Sequence, residues 1–256
     1  MKCFDLTGKT AILTGAAGGL GEVFARALAE AGAQLFVAAR KEEGLIRITD
    51  EIRGLGGDCY YRVCDITKES QARDTVKACI EKYGKVDILV NNAGAHRDNR
   101  TPFEIENESF KEVLDTNVMG ALSLSKACAE DMMKRGWGRI VNIASLSGFI
   151  VNKGVHGGSY EVSKSALIML TKALATEWCG HGICVNAIAP GYFGTQSNKN
   201  YFEADPTFYA KVVDMIPMGR LGEPEELAGP LVLLCSDAAS YMQGFTLLVD
   251  GGYVCW

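Results

Sequence analysis

No stretch of this chain approaches the roughly 18 consecutive apolar residues that a membrane-crossing helix requires, and the opening "MKCFDLTGK" lacks the apolar core of a secretory leader. Both absences predict a cytoplasmic location. Basic runs are missing as well: 26 Lys and Arg stand against 31 Asp and Glu, a net charge of −5, which argues against a nucleic-acid surface. Histidine is scarce, with His96, His156 and His181 alone, and none of the nine cysteines forms a C-x-x-C pair. Zinc-ligand spacing is therefore absent and no metal is expected. The odd number of cysteines, scattered from Cys3 to Cys255, reads as small buried hydrophobes in a reducing compartment. No low-complexity tract and no Pro/Gly/Ser-rich linker divides the chain, so one domain over residues 1–256 is expected.

What is present is a regular alternation. Short apolar runs at Thr10–Thr14, Leu35–Ala39, Cys59–Cys64, Val86–Val90, Arg139–Ala144, Ile183–Ile188 and Phe245–Val249 read as strands. Between them, Gly19–Ala31, Glu42–Leu55, Lys68–Tyr83, Glu106–Arg135, Tyr160–Trp178 and Glu223–Ser236 have helical spacing. Strands apolar on both faces and separated by helices predict an α/β fold: a doubly wound, seven-stranded parallel sheet with helices on both faces. Two irregular stretches interrupt the alternation, at 95–107 and at 191–220. Connections that long are usually functional, and the second is expected to be a substrate lid.

The first strand runs into "TGAAGGLGEVFARALAEAGA", where Gly15, Gly19, Leu20 and Gly21 form a turn that opens a helix. Glycines there let backbone N–H groups and a helix N-terminus approach a pyrophosphate, the arrangement of a Rossmann-type dinucleotide site. At the end of the second strand, "LFVAARKEE" has Ala39 where an NAD site places an acid, followed by Arg40 and Lys41. That favours NADP (NADPH), with NAD as the alternative. Asp65 and Ile66 after the third strand, and Asn91, Ala93 and Gly94 at the end of the fourth, lie on the expected cofactor path, as do Pro190, Gly191 and Thr195 after the sixth.

"SYEVSKSAL", residues 159–167, sets Tyr160 and Lys164 one helical turn apart. A phenol and an ammonium so spaced are either a core ring beside a solvated cation or a tuned proton donor. Here the pattern as a whole resembles the classical short-chain dehydrogenases/reductases. The resemblance spans the chain: T-G-x-x-x-G-x-G at Thr14–Gly21, N-N-A-G at Asn91–Gly94, Asn117, Ser145, Y-x-x-x-K at Tyr160 and Lys164, and P-G at Pro190 and Gly191. It implies that Tyr160 is the general acid and base and that Lys164 favours its phenolate and holds the nicotinamide ribose. It further implies that Ser145 binds the substrate oxygen and that Asn117 closes a proton relay to Lys164. Independently, Asn117 shares a helix face with the apolar Val113, Leu114, Ala121 and Leu124, so its amide is expected to be buried and partnered.

Ser145 precedes Tyr160 by 15 residues (160 − 145), whereas the family more often has about 13, a spacing Ser147 would satisfy. The flanking "NIAS" favours Ser145, and the longer loop brings Asn152 and His156 toward the pocket rim. With Ser147, Tyr192 and Gln196 these are candidate substrate contacts. The mixed polar and aromatic character of 191–220 argues against a steroid-like ligand. Its "APGYF" start resembles the gluconate 5-dehydrogenase-like and polyol dehydrogenase branch, which implies a sugar acid, ketose or polyol substrate.

The alternative within the family is a 3-ketoacyl-carrier-protein reductase. There the resemblance implies basic residues on the long helices, but Glu130, Asp131 and Thr176 occupy the region here. A non-catalytic NADP-binding regulator is the alternative of another class; it is expected to lack one of Ser, Tyr and Lys, and none is missing. The resemblance also implies a homotetramer or homodimer, with the apolar end Tyr253, Val254 and Trp256 covered at an interface.

Overall fold

The computed structural model describes residues 1–95, 100–152 and 158–255. Seven parallel strands form one sheet in the order β3-β2-β1-β4-β5-β6-β7: β1 Thr10–Thr14, β2 Gln34–Ala39, β3 Cys59–Val63, β4 Ile88–Asn91, β5 Gly138–Ile143, β6 Ile183–Pro190 and β7 Thr246–Val249. The central strands β1, β4 and β5 are buried at every residue, whereas edge strands β3 and β7 are partly open. Alternation along β1 explains the two cores. Ala11 and Leu13 face Phe24, Leu45 and Leu231, while Ile12 faces Val76, Leu124 and Trp178. Helices α1 (Leu20–Glu30) and α2 (Glu42–Gly54) therefore cover one face, and α3 (Glu69–Tyr83) covers the other.

After β3 the chain crosses to the other side of β1, so the order of strands reverses between β1 and β4. A crevice opens at the carboxyl ends of such strands. Thr14 ties the two ends together: its Oγ1 accepts from the Asn92 and Ala93 amides, each at 3.0 Å. The Asn92 side chain returns a bond to the Thr14 carbonyl at 2.9 Å.

Three elements differ from the sequence reading. The expected helix 106–135 is α4 (Asn107–Leu114) and α5 (Ala121–Arg135) joined by a π-helical turn, Asp115–Gly120. The helix expected at 223–236 opens as a 3₁₀ turn, Pro224–Leu227, before α9 (Ala228–Cys235). Between α6 (Ser159–Trp178) with β6 and α9, the stretch expected to be irregular contains α7 (Gln196–Ala204) and α8 (Pro206–Asp214). Thr195 and Asp205 cap them, Asp205 accepting from the Phe208 amide at 2.9 Å with Pro206 at the first helical position.

Candidate active site

A cleft of about 890 Å³ runs along the carboxyl ends of the strands. At one end it is walled by the turn after β1. An added Cβ on Gly15 (φ +66°) would stand 2.8 Å from the Ala93 Cα, and one on Gly21 only 2.1 Å from the Gly15 carbonyl. Gly18 and Gly19, by contrast, meet nothing within 4 Å on that side, so the turn presents bare backbone to open space in front of α1. This shape fits the pyrophosphate of a dinucleotide. Beyond it, Arg40, Lys41, Asp65, Ile66 and Thr67 line the wall.

Asp65 is shaped by opposing effects. Burial works against its charge, but the Thr67 hydroxyl (2.8 Å) and amide (3.0 Å) outweigh it, with Arg40 adding attraction, so the carboxyl titrates below its ordinary range. A carboxylate fixed in this way can accept from an amino group.

At the other end Ser145, Tyr160 and Lys164 share the wall with Ala93, Gly94, Thr116, Pro190, Gly191 and Thr195. Tyr160 and Lys164 lie one turn apart on α6, with the Lys164 Nζ 5.6 Å from the centre of the Tyr160 ring. The ammonium donates to the Ile143 carbonyl at 2.8 Å, at the end of β5. Burial pushes its pKa down from 10.5 to about 8. One residue separates Ser145 from the end of β5, and the Ser145 Oγ accepts from the Ser147 amide at 3.1 Å.

Asn117 sits in the π-helical turn, 2 % exposed. Its Oδ1 accepts from the Ala95 amide at 2.7 Å and its Nδ2 donates to Ser163 Oγ at 2.9 Å, which in turn donates to the Tyr160 carbonyl at 2.7 Å. The expected burial and partnering of this amide are therefore present. Asn117 Oδ1 and Lys164 Nζ both approach the position a Gly94 Cβ would take, at 3.2 and 3.7 Å.

Several expected contacts are set off this wall. Asn91 lies in the core behind it, where its Nδ2 bonds Asn142 Oδ1 (2.9 Å) and Ser125 Oγ (3.0 Å). Ser147 and Asn152 are buried behind Ser145. Tyr192 lines a separate cavity of about 80 Å³ because it packs on Tyr253, ring centres 5.6 Å apart. Gln196 is spent within α7 on Asn200, and His156 lies outside the described residues. Tyr253, expected to need a partner subunit, is 5 % exposed within this chain, covered by Tyr192, Phe202 and Met215; Trp256 lies outside the described residues. Conversely Thr67, Thr116 and Ser197 line the cleft without having been singled out, and Asn198, one of the polar residues of the expected lid, lines it too. Reading Thr195 as a helix cap would have placed Ser197 and Asn198 in the first turn beside it.

Comparison with known proteins agrees with this geometry. A family model described as enoyl-(acyl carrier protein) reductase, one of the short-chain dehydrogenases/reductases, matches residues 15–254. Galactitol 2-dehydrogenase (L-tagatose-forming) of Cereibacter sphaeroides is 40% identical over 253 residues, 99% of this chain and 98% of the relative. The 2-dehydro-3-deoxy-D-gluconate 5-dehydrogenase of Dickeya dadantii is 37% identical over 258 residues, again 99% and 98%. Among solved structures, a gluconate 5-dehydrogenase from Burkholderia cenocepacia in complex with NADP and tartrate superposes with a TM-score of 0.93 at 33% identity, covering 99% of this chain and 98% of that one.

Proposed function

This chain belongs to the short-chain dehydrogenase/reductase family, and from that premise we propose that it exchanges a hydride between NADP(H) and a polar sugar acid, ketose or polyol. The single observation that carries the reading is the convergence of Ser145, Tyr160 and Lys164 on one wall of a cleft whose other end is a bare glycine turn.

Tyr160 is the group that gives a proton to the substrate oxygen in reduction and takes it in oxidation. Lys164, buried and one turn away, supports this because a cation in a poorly screened place stabilises the nearby phenolate. One ammonium proton is committed to Ile143, and the other two are available to the ribose hydroxyls of a cofactor. Ser145 already accepts from the Ser147 amide, so its hydroxyl proton is available to the substrate oxygen. Asn117 fixes the backbone at Ala95 and, through Ser163, at Tyr160. The nicotinamide, when bound, supplies or accepts the hydride.

NADP is favoured over NAD by the pair Arg40 and Lys41 on the adenosine wall and by Ala39 in place of an acid. The names of the relatives and the mixed lining of the cleft support a polar substrate. Residues 191–220 act as the lid of this one catalytic domain. Support for a homodimer or homotetramer comes from Val162 and Met169, exposed apolar residues seven apart on α6, and from the exposed Met119. The carrier-protein alternative is disfavoured by Glu130, exposed and engaged only through Arg73 among the described residues at 3.7 Å. The Tyr160→Phe variant tests the assignment: turnover should fall by about 10²- to 10⁴-fold with NADPH binding retained. Undiminished turnover would remove Tyr160 from the chemistry.

A further inference from the structure

Ser145 is held from behind. It caps a 3₁₀ turn, Leu146–Gly148, and the Ser147 amide of that turn donates to Ser145 Oγ at 3.1 Å. The turn is pressed onto α6: Ser165 Oγ donates to the Gly148 carbonyl at 2.9 Å, and a Cβ on Gly148 would stand 3.0 Å from the Lys164 carbonyl. On its remaining side the turn meets Asn152, whose Nδ2 donates to Ser147 Oγ at 2.8 Å.

Asn152 is 3 % exposed, and its Oδ1 is buried with no hydrogen-bond partner among the described residues. A buried amide using only its donor half is a costly choice for filling space beside Leu146 and Ile150, where an aliphatic side chain would leave nothing unpaired. The donor half goes to Ser147. Because the Ser147 amide fills one lone pair of Ser145 Oγ, the orientation of this turn sets where the Ser145 proton can point.

We infer that Asn152 is a positioning residue for the Ser145 hydroxyl: acting through Ser147, it locks the 3₁₀ turn so that Ser145 Oγ is held as an acceptor behind and a donor toward the cleft. Neither Asn152 nor Ser147 lines the cleft. The inference rests on the assignment of Ser145 to the substrate oxygen. It also accounts for a second serine two residues on from the first, one that faces the interior and not the cleft.

A double-mutant cycle tests it. Asn152→Ala should lower kcat about 10-fold with KM changed less than about twofold and NADPH affinity unchanged, since misplacing a reacting group costs turnover more than binding. In a Ser145→Ala background the same substitution should add less than about twofold, because the group it positions is gone. Equal, multiplicative losses in both backgrounds, or an unchanged kcat in a folded Asn152→Ala protein, would overturn the inference. Should Asn152→Ala fail to fold, Ser147→Ala, which deletes the acceptor and leaves the amide, takes its place in the cycle with the same two outcomes. A crystal structure of the variant gives a readout independent of turnover: the Ser147 N to Ser145 Oγ separation should exceed about 3.5 Å, beyond hydrogen-bond reach, and an unchanged separation counts against positioning. That readout stands whatever substrate the enzyme takes, so a wrong substrate class and a wrong positioning role are told apart.

Discussion

Lys164 carries its charge where water scarcely reaches, and the consequence can be measured. Burial depresses its pKa from 10.5 to about 8, so between those values the unfolded chain holds a proton that the folded chain has released. Unfolding then takes up a proton, and this group's contribution makes stability rise with pH across that window; below about 8 the folded protein bears the whole cost, about 3 kcal/mol for a shift of this size. In the cofactor-free protein, Lys164→Met removes the titration. The stability of the variant minus that of the wild type, from urea denaturation, should fall by up to about 3 kcal/mol between about pH 7 and pH 10.5. A difference that does not change with pH would show that Lys164 titrates normally. The same burial is what gives the charge its reach toward Tyr160, so the cost in stability and the chemistry have one cause.

At the scale of elements, α1 and the turn after β1 meet at a separation no side chain could share, 2.1 Å between a Gly21 Cβ and the Gly15 carbonyl. Gly21→Val should drive the helix from the turn, destabilising the fold by about 1–3 kcal/mol and weakening NADPH binding at least about tenfold, as read by urea denaturation and by quenching of protein fluorescence. Unaltered affinity would mean that the turn does not cradle the cofactor. This turn was legible in the sequence because its glycines interrupt a strand-to-helix junction. The central strands were legible because burial on both faces leaves runs such as "TAILT" with no polar side. Helices α7 and α8 were not, since each is only nine residues long and fully buries one residue, Phe202 and Val212. Their existence is written instead in the caps Thr195 and Asp205. The π-helical turn around Asn117 has no compositional signature: one extra residue within an apolar face leaves the spacing of its neighbours nearly intact. Within the site, the residues on the ends of β1, β4, β5 and β6 were readable from motif and strand together. Tyr192 and Gln196 lie off the cleft wall, where Tyr253 and Asn200 engage their side chains.

For the molecule as a whole, Val162 and Met169 leave an apolar strip on the exposed face of α6, and Met119 is exposed on the π-helical turn. A specific interface removes about 800 Å² from each partner, and sedimentation equilibrium at micromolar concentration should give a dimer or tetramer. A monomer would leave that strip without the role assigned to it. The cleft is walled by residues at the carboxyl ends of six strands, β1 to β6. The central claim is chemical, and absorbance loss of NADPH or NADH tests it against ketogluconates, ketoses, short diketones and an acetoacetyl thioester. Turnover of a sugar acid or ketose with strong preference for NADPH is expected. Preference for NADH, or reaction with the thioester alone, would contradict it.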